Sequence, residues 1–201
     1  MRVVAGPVAS GKTGLFFRAA RAEEQLDAFN VDDRCAEINS GSYQSLPEHV
    51  IRQAMRECEE FIREHISRRR SFMIETTLRT TTALDQARQA RMAGFFVEMI
   101  FVATEDPEIN VRRAEAREMG GGRDVLPATV REVYAASLKN LERALRELDR
   151  VAMFDNSPMG QRPTFQAEVV AGCLESSAST CKVWVRRALS AAGIAPERRG
   201  E

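Results

Sequence analysis

The chain has 201 residues, enough for one sizeable core with at most a small appendage, and its 44% hydrophobic content with interspersed charge fits a soluble globular protein. Lys plus Arg and Asp plus Glu both total 29, which argues against an overall field drawing the chain to nucleic acid or to an anionic membrane. No apolar run approaches the roughly 20 residues of a membrane span, and the four cysteines and two histidines form no C-x-x-C pair or zinc-type cluster.

The predicted elements begin with a strand at residues 2–5. Directly after it, Gly6, Pro7, Val8, Ala9, Ser10, Gly11, Lys12 and Thr13 read G-x-x-x-x-G-K-T, and a helix is expected over 11–25. In that order, strand, loop and helix make a phosphate-binding loop. Glycine lets successive backbone N–H groups turn inward at phosphate oxygens, and the helix N-terminus adds partial positive charge. Lys12 then reaches the β- and γ-phosphates of a nucleoside triphosphate, and Thr13 ligates Mg²⁺. With this motif opening the chain, no room is left for a signal peptide, so a cytoplasmic protein with reduced cysteines is expected.

The second strand is expected at 28–31 and runs into Asn30, Val31, Asp32 and Asp33. A helix follows over 47–69, with Ser45 and Glu48 spaced for a capping box and Arg68, Arg69 and Arg70 complementing its C-terminal dipole. The third strand, 71–74, ends in Glu75, Thr76 and Thr77 and leads to a helix over 81–93. A fourth strand at 95–103 precedes Asp106-Pro107, an N-cap followed by proline at the first helical position, and a helix over 107–119. Gly120, Gly121, Gly122 and Arg123 form a flexible run able to swing an arginine before a helix at 127–150. The fifth strand, 151–154, ends in Asp155, Asn156 and Ser157. Beyond it an edge strand at 165–171, a short helix at 180–192 and a frayed end from 195 complete the chain.

Alternation of strands and helices predicts an α/β fold, a mostly parallel five-stranded sheet with helices on both faces. Ligands of such sheets sit outside the carboxyl ends of the strands. An acidic side chain there holds Mg²⁺ through water, takes a proton from an attacking hydroxyl, or only caps a turn, and all three readings are open. Adjacent strand residues point to opposite faces, so only one of Asp32 and Asp33 is expected to face the γ-phosphate. Arg113 and Arg117, four apart, share a helix face. They either join Arg123 in neutralising a migrating phosphoryl group or pair with Glu115 and Glu118 as a solvated face.

These residues together resemble the zeta-toxin family of kinases, in its small zeta-like branch. The similarity runs from Val3 to about Ser157, and weakly through Trp184. It is carried by A-G-P-V-A-S-G-K-T from Ala5, N-V-D-D from Asn30, I-E-T-T-L-R from Ile74, R-A-E-A-R from Arg113, G-G-G-R-D-V-L-P from Gly120 and D-N-S from Asp155. The resemblance implies a three-layer P-loop kinase core over residues 1–158 with a helical lid around 105–127, and a strand and helix over 159–201 packed on it. It implies transfer of the γ-phosphoryl of ATP, with Mg²⁺, to a hydroxyl of a small molecule. In the characterised toxins that acceptor is UDP-N-acetylglucosamine, and a toxin of this kind has an antitoxin protein as partner. Carried over position by position, Lys12 and Thr13 bind triphosphate and metal, and Asp32 is the general base. Glu75, Thr76, Thr77 and Arg79 face the acceptor, while Arg113, Arg117 and Arg123 grip phosphates. Two departures stand out: Arg123 occupies the place of the histidine in the family's G-G-H, and Glu132-Val133-Tyr134 replaces an arginine-rich turn.

Two other readings compete. A kinase of nucleic-acid ends would need a basic stripe that the balanced charge does not supply. A nucleotide-dependent binding module would use ATP only to close the lid on a partner. A GTPase lacks its N-K-x-D motif here, and a transporter ATPase its L-S-G-G-Q.

Overall fold

The computed structural model describes residues 1–16 and 26–194. Its elements are β1 (Arg2–Ala5), α1 (beginning at residue 12 and described through 16), β2 (Asp27–Phe29), α2 (Val31–Ile38), α3 (Glu48–Ser67), β3 (Phe72–Thr76), α4 (Thr82–Met92), β4 (Glu98–Ala103), α5 (Pro107–Met119), α6 (Pro127–Glu147), β5 (Arg150–Asp155), β6 (Thr164–Val170), β7 (Cys173–Ser177) and α7 (Val183–Ala191). The remainder of the expected 11–25 helix and the expected frayed end lie outside the described residues.

The strands form one sheet in the order β2-β3-β1-β4-β5-β6-β7. From β2 to β5 the neighbours are parallel, and β6 and β7 extend the sheet antiparallel. The sheet thus has seven strands where five and an edge were expected. β6 is paired on both sides, and the edge opposite β2 is β7, whose polar C-L-E-S-S run carries no apolar alternation to announce it.

Side-chain alternation explains the layers. Val3 and Ala5 of β1, with Phe72 and Ile74 of β3, enter the main core beside Ile62 of α3, Leu84 and Ala87 of α4, Leu141 and Leu145 of α6 and Val185 of α7. Val4 and Met73 point to the other face, where Phe16 of α1 covers them. Strands buried on both faces read as continuous apolar runs, which is why β1, β3 and β4 were visible in sequence. A small cluster of Val111 and Ala114 of α5 with Val130 of α6 packs against Val8 and Ala9, seating the loop after β1 on the two helices beside it.

Three local features differ from expectation. Asn30 ends no strand: it is the N-cap of α2, its Oδ1 accepting from the N–H groups of Asp32 at 2.9 Å and Asp33 at 3.4 Å. Asp32 and Asp33 therefore lie in a first helical turn and not on a strand. The Ser45–Glu48 capping box does not form, because α3 starts after Pro47 with no side-chain cap and Ser45 sits at φ +50°. Asp106 caps α5 as expected, accepting from Glu108 N–H at 2.9 Å with Pro107 in the first turn.

Candidate active site

β1 is the middle one of the five parallel strands, paired with β3 and β4, so the loop from Gly6 to Thr13 emerges between the carboxyl ends of those two. Two of its glycines are required by space as well as by backbone angle. Gly6 has φ +145°, and a Cβ there would lie 2.0 Å from the Val102 carbonyl oxygen of β4. Gly11 has φ +95°, and a Cβ there would lie 2.2 Å from Asn156 Nδ2. The loop's carbonyls are held by donors outside its own backbone ladder. Lys12 Nζ donates to Pro7 O at 2.8 Å, Asn110 Nδ2 to Val8 O at 2.6 Å, and Asn156 Nδ2 to Ser10 O at 2.8 Å.

Beside this loop opens a cleft of about 420 Å³. It is lined by Val8, Ala9, Gly11, Lys12 and Thr13 of the loop together with Asn30, Asp32, Asp33, Tyr43 and Glu75. Arg79, Arg117 and Arg123 also border the cleft. The side chains of Lys12 and Glu75 are only 7% and 10% exposed, with Nζ 3.9 Å from Oε1. Burial pushes the Lys12 ammonium below its ordinary pKa, with Glu75 and then Asp32 working against it and Arg117 with it. Burial likewise raises the Glu75 carboxyl, opposed by the Lys12 charge and aided by the negative charges of Asp32 and Asp33. Asn30 ties this acid to α2, its Nδ2 donating to Glu75 Oε2 at 3.1 Å while its Oδ1 caps the helix.

Asp32 and Asp33 occupy the first turn of α2 and both line the cleft, so the strand alternation from which only one was expected to face the γ-phosphate does not apply. Successive helical residues are separated by about 100° and not by the 180° of a strand, so neighbours can share one opening. They are distinguished by their partners. The Asp32 carboxylate is bonded by the Arg123 guanidinium, whereas Asp33 Oδ1 accepts from the Tyr43 hydroxyl at 2.9 Å.

The glycine run before Arg123 closes the end of α5. Gly120 and Gly122 N–H groups both donate to Arg117 O, at 3.1 and 2.9 Å, and a Cβ on Gly122 would lie 2.5 Å from Arg117 Cγ. Gly122 is thus a packing requirement of the Arg117 stem. Gln44 Nε2 donates to Glu118 O at 3.1 Å, joining the α2–α3 loop to the same helix end.

Not every expected site residue borders the cleft. Thr77 does, while Thr76 Oγ1 accepts from Leu78 N–H at 3.1 Å and shapes the turn. Arg113 does not border it, its Nη2 donating instead to Ser157 O at 3.1 Å and to Pro158 O at 3.4 Å. Asp155 is fully buried, accepting from Ser157 Oγ at 2.8 Å and from the Trp184 indole N–H at 3.1 Å. Tyr43 and Thr129 line the cleft without any motif to signal them, and Val125 and Val133, within segments noted only against the family's pattern, line it as well. Among the described residues, no group of three His, Cys, Asp or Glu side chains is arranged to hold a metal ion by itself.

The family model described as zeta toxin matches residues 1–159. The chain belongs to the zeta toxin family. No curated protein matches it. Among solved structures, a chain from the PezAT chromosomal toxin-antitoxin system of Streptococcus pneumoniae has a TM-score of 0.60 at 16% identity, covering 78% of this chain and 68% of that one. A chain of the AvrRxo1-ORF1:AvrRxo1-ORF2 complex with ATP has a TM-score of 0.68 at 15% identity, covering 100% of this chain and 65% of that one. A sugar kinase from a Janibacter species has a TM-score of 0.50 at 20% identity, covering 97% and 95%. This zeta toxin family member therefore spans about two thirds of the first two relatives. At such identities the likeness is one of fold, that of the P-loop kinases.

Proposed function

We propose that the chain is a kinase that moves the γ-phosphoryl of ATP to a hydroxyl of a small molecule in the cytoplasm. The observation that carries this reading is that a phosphate loop and a carboxylate, Lys12 and Asp32, line one cleft together. In-line transfer needs little more from a protein than such positioning and charge. The loop fits a triphosphate, since its two required glycines leave room only for backbone. The donors nearest it, the Thr13 hydroxyl with the Glu75 and Asp32 carboxylates, are the hard oxygen groups that suit Mg²⁺. Mg²⁺ held there would neutralise charge on the phosphates.

In this reading Lys12 binds the β- and γ-phosphates and Asp32 accepts the proton of the acceptor hydroxyl. Arg117 and Arg123 neutralise the migrating group. Glu75, Thr77 and Arg79 contact the acceptor, with Thr76 shaping their turn, and Arg113 acts through the Ser157–Pro158 segment that it holds. UDP-N-acetylglucosamine is the first acceptor to try, because the family's characterised members use it and because Arg79 is a cation lining the cleft beyond those assigned to the triphosphate. The toxin-antitoxin setting of the pneumococcal relative supports an antitoxin protein as partner. The deciding experiment is a metabolite screen for ATP-dependent phosphorylation, with UDP-N-acetylamino sugars in the first panel. Acceptor-dependent ADP release supports the kinase. ATP binding with no turnover on any acceptor supports the binding module instead.

A further inference from the structure

We propose that Asn110 and Asn156 are positioning residues of the phosphate loop, fixing which way its peptide units face; this rests on reading that loop as an ATP site. The two come from opposite sides. Asn110 lies fully buried on α5, and Asn156 follows β5, its own N–H donating to Ala103 O at 2.8 Å. Each gives its side-chain amide to one carbonyl of the loop, Asn110 to Val8 and Asn156 to Ser10.

Peptide planarity converts these two bonds into the placement of two donors. In a trans unit the carbonyl and the next N–H point in opposite directions, and the described backbone holds no cis bond. Drawing the Val8 carbonyl toward Asn110 turns the Ala9 N–H the other way. Drawing the Ser10 carbonyl toward Asn156 does the same for the Gly11 N–H. Ala9 and Gly11 line the cleft, whereas neither asparagine does, so the two N–H groups are aimed where phosphate oxygens would lie.

The loop's departures from ordinary backbone depend on this hold. Ala9 sits at φ +56°, a left-handed conformation that an alanine leaves unless something outside the residue keeps it there. Gly11 admits the Asn156 amide only because it has no Cβ. Asn110 is locked in turn. Its Oδ1 accepts from the Thr104 hydroxyl, and Thr104 O accepts from the Tyr134 hydroxyl of α6 at 2.6 Å. With Oδ1 occupied by a donor and Val8 O able only to accept, the amide has one orientation. Tyr134, Thr104 and Asn110 thus form a buried relay from α6 through the end of β4 to the loop.

Calorimetry with MgATP and with inorganic tripolyphosphate tests this on wild type, Asn110→Ala, Asn156→Ala and Lys12→Ala. Each asparagine variant should lose about tenfold in affinity for both ligands, the size of one hydrogen bond's net contribution, with its KM for the acceptor unchanged. A purely structural role would instead lower the thermal midpoint and leave tripolyphosphate affinity of the folded protein as it was. Asn156 is partly exposed, so Asn156→Ala decides the matter should Asn110→Ala fail to fold. Affinity within twofold of wild type in folded Asn156→Ala overturns the proposal while the ATP site stands, provided Lys12→Ala abolishes binding. Failure of wild type to bind either ligand overturns both.

Discussion

The guanidinium of Arg123 is bonded to the carboxylate of Asp32, so the arginine that ends the glycine run and the acid that opens α2 meet across the mouth of the cleft. Their side chains are 36% and 41% exposed, and a pair so open to water contributes only about 0–1 kcal/mol. On the proposed reading, a phosphate would draw Arg123 away at little cost and free Asp32 for a hydroxyl proton.

Asp32→Asn keeps the size of the side chain and removes its basicity. Turnover should fall by about 10² to 10⁴ while ATP affinity stays near wild type, as read by coupled ADP release and calorimetry. Asp33→Asn should be mild, because its carboxylate is engaged by Tyr43. Near-normal turnover in both variants would transfer the role to Glu75.

For Arg123→Ala the expected loss is about a hundredfold in kcat, the usual consequence of removing one stabilising donor from a developing anion. Its thermal midpoint should barely move, since the contact it breaks is exposed. A large drop in midpoint with unchanged kcat would make Arg123 a structural latch instead.

Glycine replacements separate space from flexibility. The Cβ of Gly6→Ala would meet a strand carbonyl that cannot yield, at 2.0 Å, and folding stability should fall by about 3 kcal/mol or more in urea titration. In Gly11→Ala the Cβ meets a movable amide at 2.2 Å, so stability should fall less and phosphate affinity more. Equal stability losses would contradict the geometry.

Acid sensitivity should arise at the edge strand. A hydrogen bond with His65 holds Asp27 below its ordinary pKa of 3.8, with Arg70 adding to it. Both His65 Nε2 and Arg70 Nη2 lie 3.0 Å from Asp27 Oδ2. Below the ordinary value the unfolded chain binds the proton first, so this stabilisation is present above it and lost as pH falls toward the folded pKa. Urea midpoints measured across that acid range should slope less steeply in Asp27→Asn, and an identical slope would remove Asp27 as the source.

Much of the scaffold was legible because its physics is local. The phosphate loop announces itself through glycines and a lysine at fixed spacing, β1, β3 and β4 through unbroken apolar runs, and the start of α5 through Asp106-Pro107. The second helix was missed although Asn30 with two acids in the following turn is an N-cap signal, because a three-residue strand ahead of it made the segment read as extended. That error carried into the assignment of faces to Asp32 and Asp33. Arg113 could not be separated from Arg117 by spacing, since what distinguishes them is the loop after β5, more than forty residues away. Asn110 belongs to no motif, and only tertiary contact brings it to the phosphate loop.

Trp184 is the only tryptophan in the sequence. It is buried, its ring centroid 5.9 Å from that of Phe101, and its N–H is bound to Asp155, the residue before Asn156. The chain therefore has a single indole fluorophore, joined through one peptide unit to the amide that grips Ser10. On the proposed reading, nucleotide entering the phosphate loop is expected to change the emission of an unlabelled sample, excited at the red edge of the band to leave the two tyrosines dark. Unchanged emission on saturation would show that the loop and the indole are uncoupled.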